Sequence, residues 1–286
     1  MRWAARRRHL RRTIRLTLDR LVAAPVRGVT LGLIGCAGLA LAHAGTAQAR
    51  ERRVVVGQDG RIDLARAASL LGRDVKAVAA RFAASGRIEC GGVRGVGQLT
   101  GRGDRVTSAA HVFFDEAGRP RADHGRCVFI VEGAGRRDEV ALVPDPAASG
   151  STRPYDGPGR HDWGTARLVR PIEGVAPYEI GNPVRVGEKI AVVAFEAGRP
   201  TVDFCRVRDV IVAPDGTREL RTDCVGFDGM SGAAYLSLDE RPKFLGLHVG
   251  FRSVDPDRVD DYSELHHTFG AAPGGLLKKP TKSASR

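Results

Sequence analysis

The chain has 286 residues and a formal net charge of +12. Residues 1–49 carry nine Arg and one Asp, and the tail carries Lys278, Lys279, Lys282 and Arg286, so the body between them is balanced. Charge held at the two ends gives no basic patch on a folded domain, which excludes a nucleic acid as the expected partner. With 36 Gly and 15 Pro, the chain turns too often for a helical bundle and suits an all-β fold.

The N-terminus reads as an export signal spanning 1–49. Arg6-Arg7-Arg8 and Arg11-Arg12 open it, an apolar run from Gly28 to Ala42 follows, and Ala47-Gln48-Ala49 is a small-x-small cleavage site. The run is short of the roughly 20 residues that span a bilayer. An uncleaved anchor is one alternative. A lipoprotein signal is another, because Leu33-Ile34-Gly35-Cys36 resembles a lipobox. Cleavage after Ala49 is the preferred reading, and it predicts an extracytoplasmic protein, periplasmic or secreted, that meets the membrane only through its leader. Cys90, Cys127, Cys205 and Cys224 then remain, and an even number in an exported chain predicts two disulfides. Three pairings are open. A turn at Pro214-Asp215-Gly216 favours Cys205–Cys224, which leaves Cys90–Cys127. Each bridge is worth about 3 kcal/mol. No CxxC pair is present, so no zinc site is expected.

Residues 50–85 read as a helical extension or a prosegment. Val75, Val78, Ala79 and Phe82 recur at helical spacing, Gly72 ends a first helix, and Asp74 caps a second. From Gly86 the pattern changes to short strands broken by glycine turns: 86–91, 95–101, 104–109, 126–132, 138–143, 163–169, 187–196, 201–212, 217–223, 232–238 and 243–249. Residues 144–161 are a loop by composition. That spacing predicts a sandwich or barrels, with a break near 171–186 dividing residues 86–270 into two halves. The basic tail, 271–286, reads as disordered.

Three local patterns carry chemistry. Val106-Thr107-Ser108-Ala109-Ala110-His111 delivers a histidine at a strand end. His161-Asp162-Trp163-Gly164 opens a strand with an aspartate after the long loop. Cys224 to Tyr235 is a glycine-studded turn that holds Ser231. A serine hydroxyl becomes a nucleophile when an imidazole takes its proton, a carboxylate fixes the imidazole tautomer, and backbone amides receive the oxyanion. Gly229 and Gly232 let the backbone around Ser231 turn sharply enough to aim those amides.

The order His, Asp, Ser and the sequences around each resemble the chymotrypsin-like (trypsin-fold) serine proteases, from about Gly86 to Phe269. Ser108-Ala109-Ala110-His111 resembles that family's Thr-Ala-Ala-His. Asp162, with a small residue two places on and Leu168 six on, resembles its Asp-x-Ala-x-x-x-Leu. Gly229-Met230-Ser231-Gly232 resembles its Gly-Asp-Ser-Gly, and Gly95-Val96-Gly97-Gln98-Leu99 resembles the Gly-x-Gly-x-Leu strand of bacterial members. The resemblance implies two six-stranded antiparallel β-barrels with the site in the cleft between them. It implies Ser231 as nucleophile, His111 as general base, Asp162 as its orienting carboxylate, and the amides of Gly229 and Ser231 as the oxyanion hole. A peptide or protein is the implied substrate, with no metal or cofactor, and a monomer is expected.

Departures narrow the branch. Met230 replaces the aspartate that pairs with a freshly cut N-terminus in the trypsin branch, and Ala233-Ala234 replaces a Gly-Pro or Ser-Pro. Both look more like the bacterial glutamyl endopeptidases. Val225, six residues before Ser231, removes the aspartate that selects Arg or Lys. Phe244 to Gly250 resembles a pocket-lining Gly-Ile-His strand, which implies that His248 and Gly250 line the primary pocket and that His248 binds an acidic side chain. Asp228 at the pocket mouth opposes that preference by repulsion. His124, His266 and His267 read as surface residues, His161 as exposed, and Trp163 as packing at the barrel junction. Two rival functions are an inactive protease-fold protein that binds peptides, and an α/β-hydrolase. Ala233, the residue order and the lack of alternating helices count against the latter.

Overall fold

The structure is a computed structural model that describes residues 52–133 and 136–272. The readings of the leader, the lipobox and the tail beyond Ala272 lie outside the described residues. No helix among the described residues is long and apolar enough to cross a membrane.

Strand β1 (Arg53–Val56) and strand β2 (Arg61–Asp63) lead into two short helices, α1 (Leu64–Leu71) and α2 (Val75–Arg81). Asp63 caps α1 by accepting from the Arg66 amide at 2.7 Å, and Asp74 caps α2 by accepting from Lys76 at 2.8 Å. The first helix stops at Gly72, as expected from the sequence. Ala67, Ala68, Val78 and Phe82 are buried in the main core. Burying a side chain such as Val78 or Phe82 contributes about 1.5–3 kcal/mol, so the two helices are integral to this fold.

The first barrel is built from β3 (Ser85–Cys90), β4 (Val93–Leu99), β5 (Arg105–Ser108), β6 (Cys127–Gly133), β7 (Arg136–Asp145) and β8 (Gly164–Leu168), closed in the order β3-β4-β5-β8-β7-β6. One helical turn, α3 (Ala110–Phe113), follows β5. Residues 169–188, which include β9 (Glu179–Ile180), connect to the second barrel. That barrel comprises β10 (Lys189–Glu196), β11 (Arg199–Val212), β12 (Arg218–Thr222), β14 (Ala234–Leu236), β15 (Lys243–Ser253) and β17 (His266–Ala272). It runs β10-β14-β15-β17-β12-β11 and closes through the β10–β11 pair. The architecture is therefore two six-stranded antiparallel barrels. Closure leaves no unpaired edge around either ring, apart from the β2 and β9 additions on β11 and β15. A three-stranded sheet joins β13 (Gly226–Phe227), β1 and β16 (Val259–Asp260).

Alternation along these strands makes two buried clusters. One fills the first barrel with Ile88, Val106, Phe129 and Leu168 and continues beneath α1 and α2 to Val193 and Leu247. The other fills the second barrel with Ile190, Val192, Val207, Leu220 and Tyr235. The disulfides are Cys90–Cys127, joining β3 to β6, and Cys205–Cys224, joining β11 to the segment before β13.

Two expectations are corrected here. Strand β17 supplies the twelfth barrel strand and carries order to Ala272, two residues past the expected boundary. His266 and His267 in it are buried, not on the surface. Each has found acceptors or donors inside: His266 bonds Val55 O through Nε2 and Ser253 Oγ through Nδ1, both at 3.0 Å, and His267 Nδ1 lies 2.8 Å from Ser263 O. His124 is exposed, with its Nε2 3.5 Å from Asp115.

Candidate active site

The antiparallel register Ser108↔Gly164 between β5 and β8 brings the residue that follows one strand beside the residue that precedes the other. His111 sits on α3, three residues after Ser108. Asp162 ends a short 3-10 turn, Gly159–His161, two residues before Gly164. The small Ala109 and Ala110 are completely buried, which lets α3 pack close to β8. The Asp162 carboxylate accepts from His111 Nδ1–H at 2.7 Å through Oδ2 and from the His111 backbone N–H at 2.9 Å through Oδ1. Because a buried carboxylate accepts, Nδ1 carries the proton and Nε2 is the free basic nitrogen. Asp156, a further carboxylate in the loop before Asp162, is exposed and 3.8 Å from Arg153.

Ser231 reaches the same place from the second barrel. Its carbonyl accepts from the Val96 amide at 2.8 Å. A Cβ on Gly95 would lie 2.9 Å from Ser231 O and 2.7 Å from Val112 Cγ2, so the serine turn packs on the residue next to His111. Gly232 seats the turn: with φ +90°, its Cα lies so close to β4 and β5 that a Cβ would meet Ser108 Oγ at 2.1 Å and Val96 O at 2.2 Å. Among the described residues, no hydrogen bond joins Ser231 Oγ to His111. Such bonds are often long before substrate binds.

The turn before the serine closes through Met230 N–H to Phe227 O at 3.1 Å, with Gly229 at φ +93°, as in a type II turn. Among the described residues, neither the Gly229 nor the Ser231 amide donates to an internal acceptor. Two free N–H groups beside a serine make a receptor for an oxyanion.

The remaining expected pocket residues lie as follows. Val225 is buried, and its amide donates to Asp203 Oδ2 at 2.8 Å. Burial pushes the Asp203 carboxyl up to about 6. His248 is only 1% exposed, and burial, with the nearby His111 adding repulsion, pushes it down to about 3. Burial thus favours its neutral form, which can still donate a hydrogen bond. Its backbone is what engages the site: His248 O accepts from Gly232 and its amide donates to Ala233 O, both at 2.8 Å. Gly250 is half-buried and faces Phe269 across the β15–β17 ladder. Met230 is buried and belongs to the same apolar cluster as Val55, Val225 and Phe227.

Three residues escaped the sequence reading. Arg52 clamps Asp228 with Nε–Oδ2 and Nη2–Oδ1 contacts of 3.2 Å, while the Asp228 amide donates to Arg52 O at 3.1 Å. The Asp228 charge is thereby balanced by Arg52. Tyr155, from the long loop, places its ring 6.1 Å from the His111 ring. Phe251 faces Gly226. None carries a local motif. His161 is half-exposed, 3.2 Å from Asp215 and Thr217, and Trp163 packs partly buried on the first core. Asp203, Cys205 and Cys224 come together like a metal-ligand group, but the two cysteines are bonded to each other and offer no thiolate.

Among solved structures, one described as a Glu endopeptidase in complex with MPD matches with a TM-score of 0.52 at 16% identity, over 78% of this chain and 96% of that one. The fold is that of the chymotrypsin-like serine proteases. A thermostable serine protease, AL20, from an extremophilic microorganism matches at 0.47 and 15%, over 69% of this chain and 94% of its own. The HtrA-type protease AlgW, with a tripeptide, matches at 0.49 and 15%, over 70% and 60%. No protein-family model matches the chain, and no curated protein does.

Proposed function

We propose that this protein is an extracytoplasmic serine endopeptidase. The observation that carries the reading is the double acceptance by Asp162, from the ring and the backbone of His111. It leaves Nε2 basic beside the cleft that holds Ser231. Nε2 takes the Ser231 proton as Oγ attacks the substrate carbonyl. The oxyanion receives the Gly229 and Ser231 amides, and the imidazolium is stabilised by Asp162. His111 then returns the proton to the leaving amine, and an acyl-enzyme remains on Oγ. Water, activated by the same Nε2, hydrolyses that ester and regenerates the serine. No step calls on a metal or cofactor. The two disulfides support an oxidising compartment, as the leader does.

A second reading, an inactive fold that binds peptides, is favoured by Met230 and Ala233, which depart from the family's pattern around the serine. A fluorophosphonate probe separates the two. The endopeptidase reading expects stoichiometric labelling of the exported protein, abolished in Ser231→Ala and strongly slowed in His111→Ala. An unlabelled but folded wild-type protein overturns it.

A further inference from the structure

We propose that Phe251 fills the primary specificity pocket, so that the site accepts only small side chains, those of glycine, alanine or serine, at the residue whose carbonyl is attacked. This rests on the endopeptidase reading and names its substrate class. The turn that carries the Gly229 and Ser231 amides follows directly on β13, and its far end is hydrogen-bonded to His248 of β15, so a side chain reaching in from the held carbonyl meets β13 on one side and β15 with β17 on the other.

That space is occupied. A Cβ placed on Gly226, at the centre of the β13 wall, would lie 3.3 Å from Phe251 Cδ1, 3.4 Å from Phe251 Cβ and 2.6 Å from Thr268 Cγ2. The space between Gly226 and the Phe251 and Thr268 side chains is thus too narrow for even a methyl group on residue 226, which must be a glycine. Phe251 and Thr268 are register partners in the β15–β17 ladder, so their side chains project from the same face. The register slips between His248 and Gly250. In a regular strand, residues three apart face opposite ways. The extra residue at the bulge turns Phe251 to the same face as His248, toward the pocket.

Neither wall has room to retreat. The Thr268 hydroxyl is bonded to Thr222 Oγ1 at 2.6 Å and Cys224 O at 3.2 Å, which directs its methyl at Gly226. Beside β13, β1 pairs with it through Val54↔Gly226 and pairs in turn with β16, which holds the strand in place. Phe251 itself is half-buried, and a larger side chain would have to displace it from its place over Gly226.

The test uses matched fluorogenic peptides that differ only at the cleaved residue (Ala, Ser, Leu, Phe, Arg or Glu), with the exported full-length chain and its Phe251→Gly variant. Active sites are counted by fluorophosphonate labelling. Wild type is expected to favour Ala and Ser over the four larger residues by at least ~100-fold in kcat/KM, the range that pocket fit supplies. Phe251→Gly should shrink the Leu/Ala and Phe/Ala gaps by at least ~10-fold. Should the variant not fold, sequencing of the fragments that wild type makes from a denatured protein decides: cuts confined to small residues support the proposal. Labelled wild type that cleaves the Leu, Arg or Glu peptide as fast as the Ala peptide overturns pocket closure and leaves the nucleophile standing. Absence of labelling overturns the endopeptidase reading and pocket closure with it.

Discussion

Replacing Asp162 by Asn keeps the volume of the side chain and removes its charge. The structure dictates how the amide must sit. Oδ1 faces the His111 backbone N–H at 2.9 Å, so the Asn carbonyl oxygen takes that position. The amide nitrogen then faces His111 Nδ1, where Oδ2 now accepts at 2.7 Å. Two N–H donors cannot share that contact, so the imidazole takes the other tautomer, with its proton on Nε2. A protonated Nε2 cannot receive the serine proton, and the imidazolium loses its counter-charge. For this exchange in a Ser-His-Asp triad the drop is about 10⁴-fold in kcat, or about 5.4 kcal/mol of barrier. The assay is kcat/KM on an alanine peptide, with thermal unfolding to show that the variant folds. A folded Asp162→Asn enzyme that keeps a tenth of wild-type activity would refute the tautomer argument.

Further outcomes follow from the same geometry. Asp203 has its carboxyl raised from an ordinary 3.8 to about 6 by burial. Between those values the folded chain binds more proton than the unfolded one, so stability falls as pH rises, and the penalty is complete above pH 6. Asp203→Asn should therefore stabilise the protein by up to about 3 kcal/mol at pH 8 and much less at pH 4. Equal effects on the urea midpoint at both pH values would contradict this. Gly232→Ala, at φ +90° with Ser108 Oγ and Val96 O in the way, should cost at least about 2 kcal/mol and abolish labelling of Ser231. A variant that labels at the wild-type rate would show the serine turn to be seated otherwise. Changing both Cys90 and Cys127 to Ser should cost about 2–4 kcal/mol in urea unfolding, and adding reductant should cost the double variant less than it costs wild type.

The parts of the site that were legible in the sequence are the parts whose chemistry is local. His111, Asp162 and Ser231 each stand in a short segment whose small residues serve close packing: Ala109 and Ala110 at the start of α3, Gly164 after Asp162, Gly232 against β5. Asp74 and Gly72 mark helix ends because a cap is made with a neighbour two or three residues away. Strand β17 was missed for the opposite reason. A stretch that opens with two histidines looks solvated until its partners are seen, and His266 finds one of them in Val55, far back in the chain. The N-terminal segment was equally opaque. Nothing near Arg52 announces Asp228, and nothing near Val54 announces Gly226.

The sequence by itself determined the order of histidine, aspartate and serine, an even set of four cysteines for two disulfides, and the run of short strands that closes into barrels. The shape of the primary pocket was decided only by tertiary structure. His248 had the motif, but the interior of the second barrel encloses it and keeps it neutral. Phe251 had none, yet one extra residue in the β15 ladder turns its ring onto Gly226. Strand parity determines which side chains a cleft presents. A bulge reverses that parity, and it exists only in the pairing of two strands.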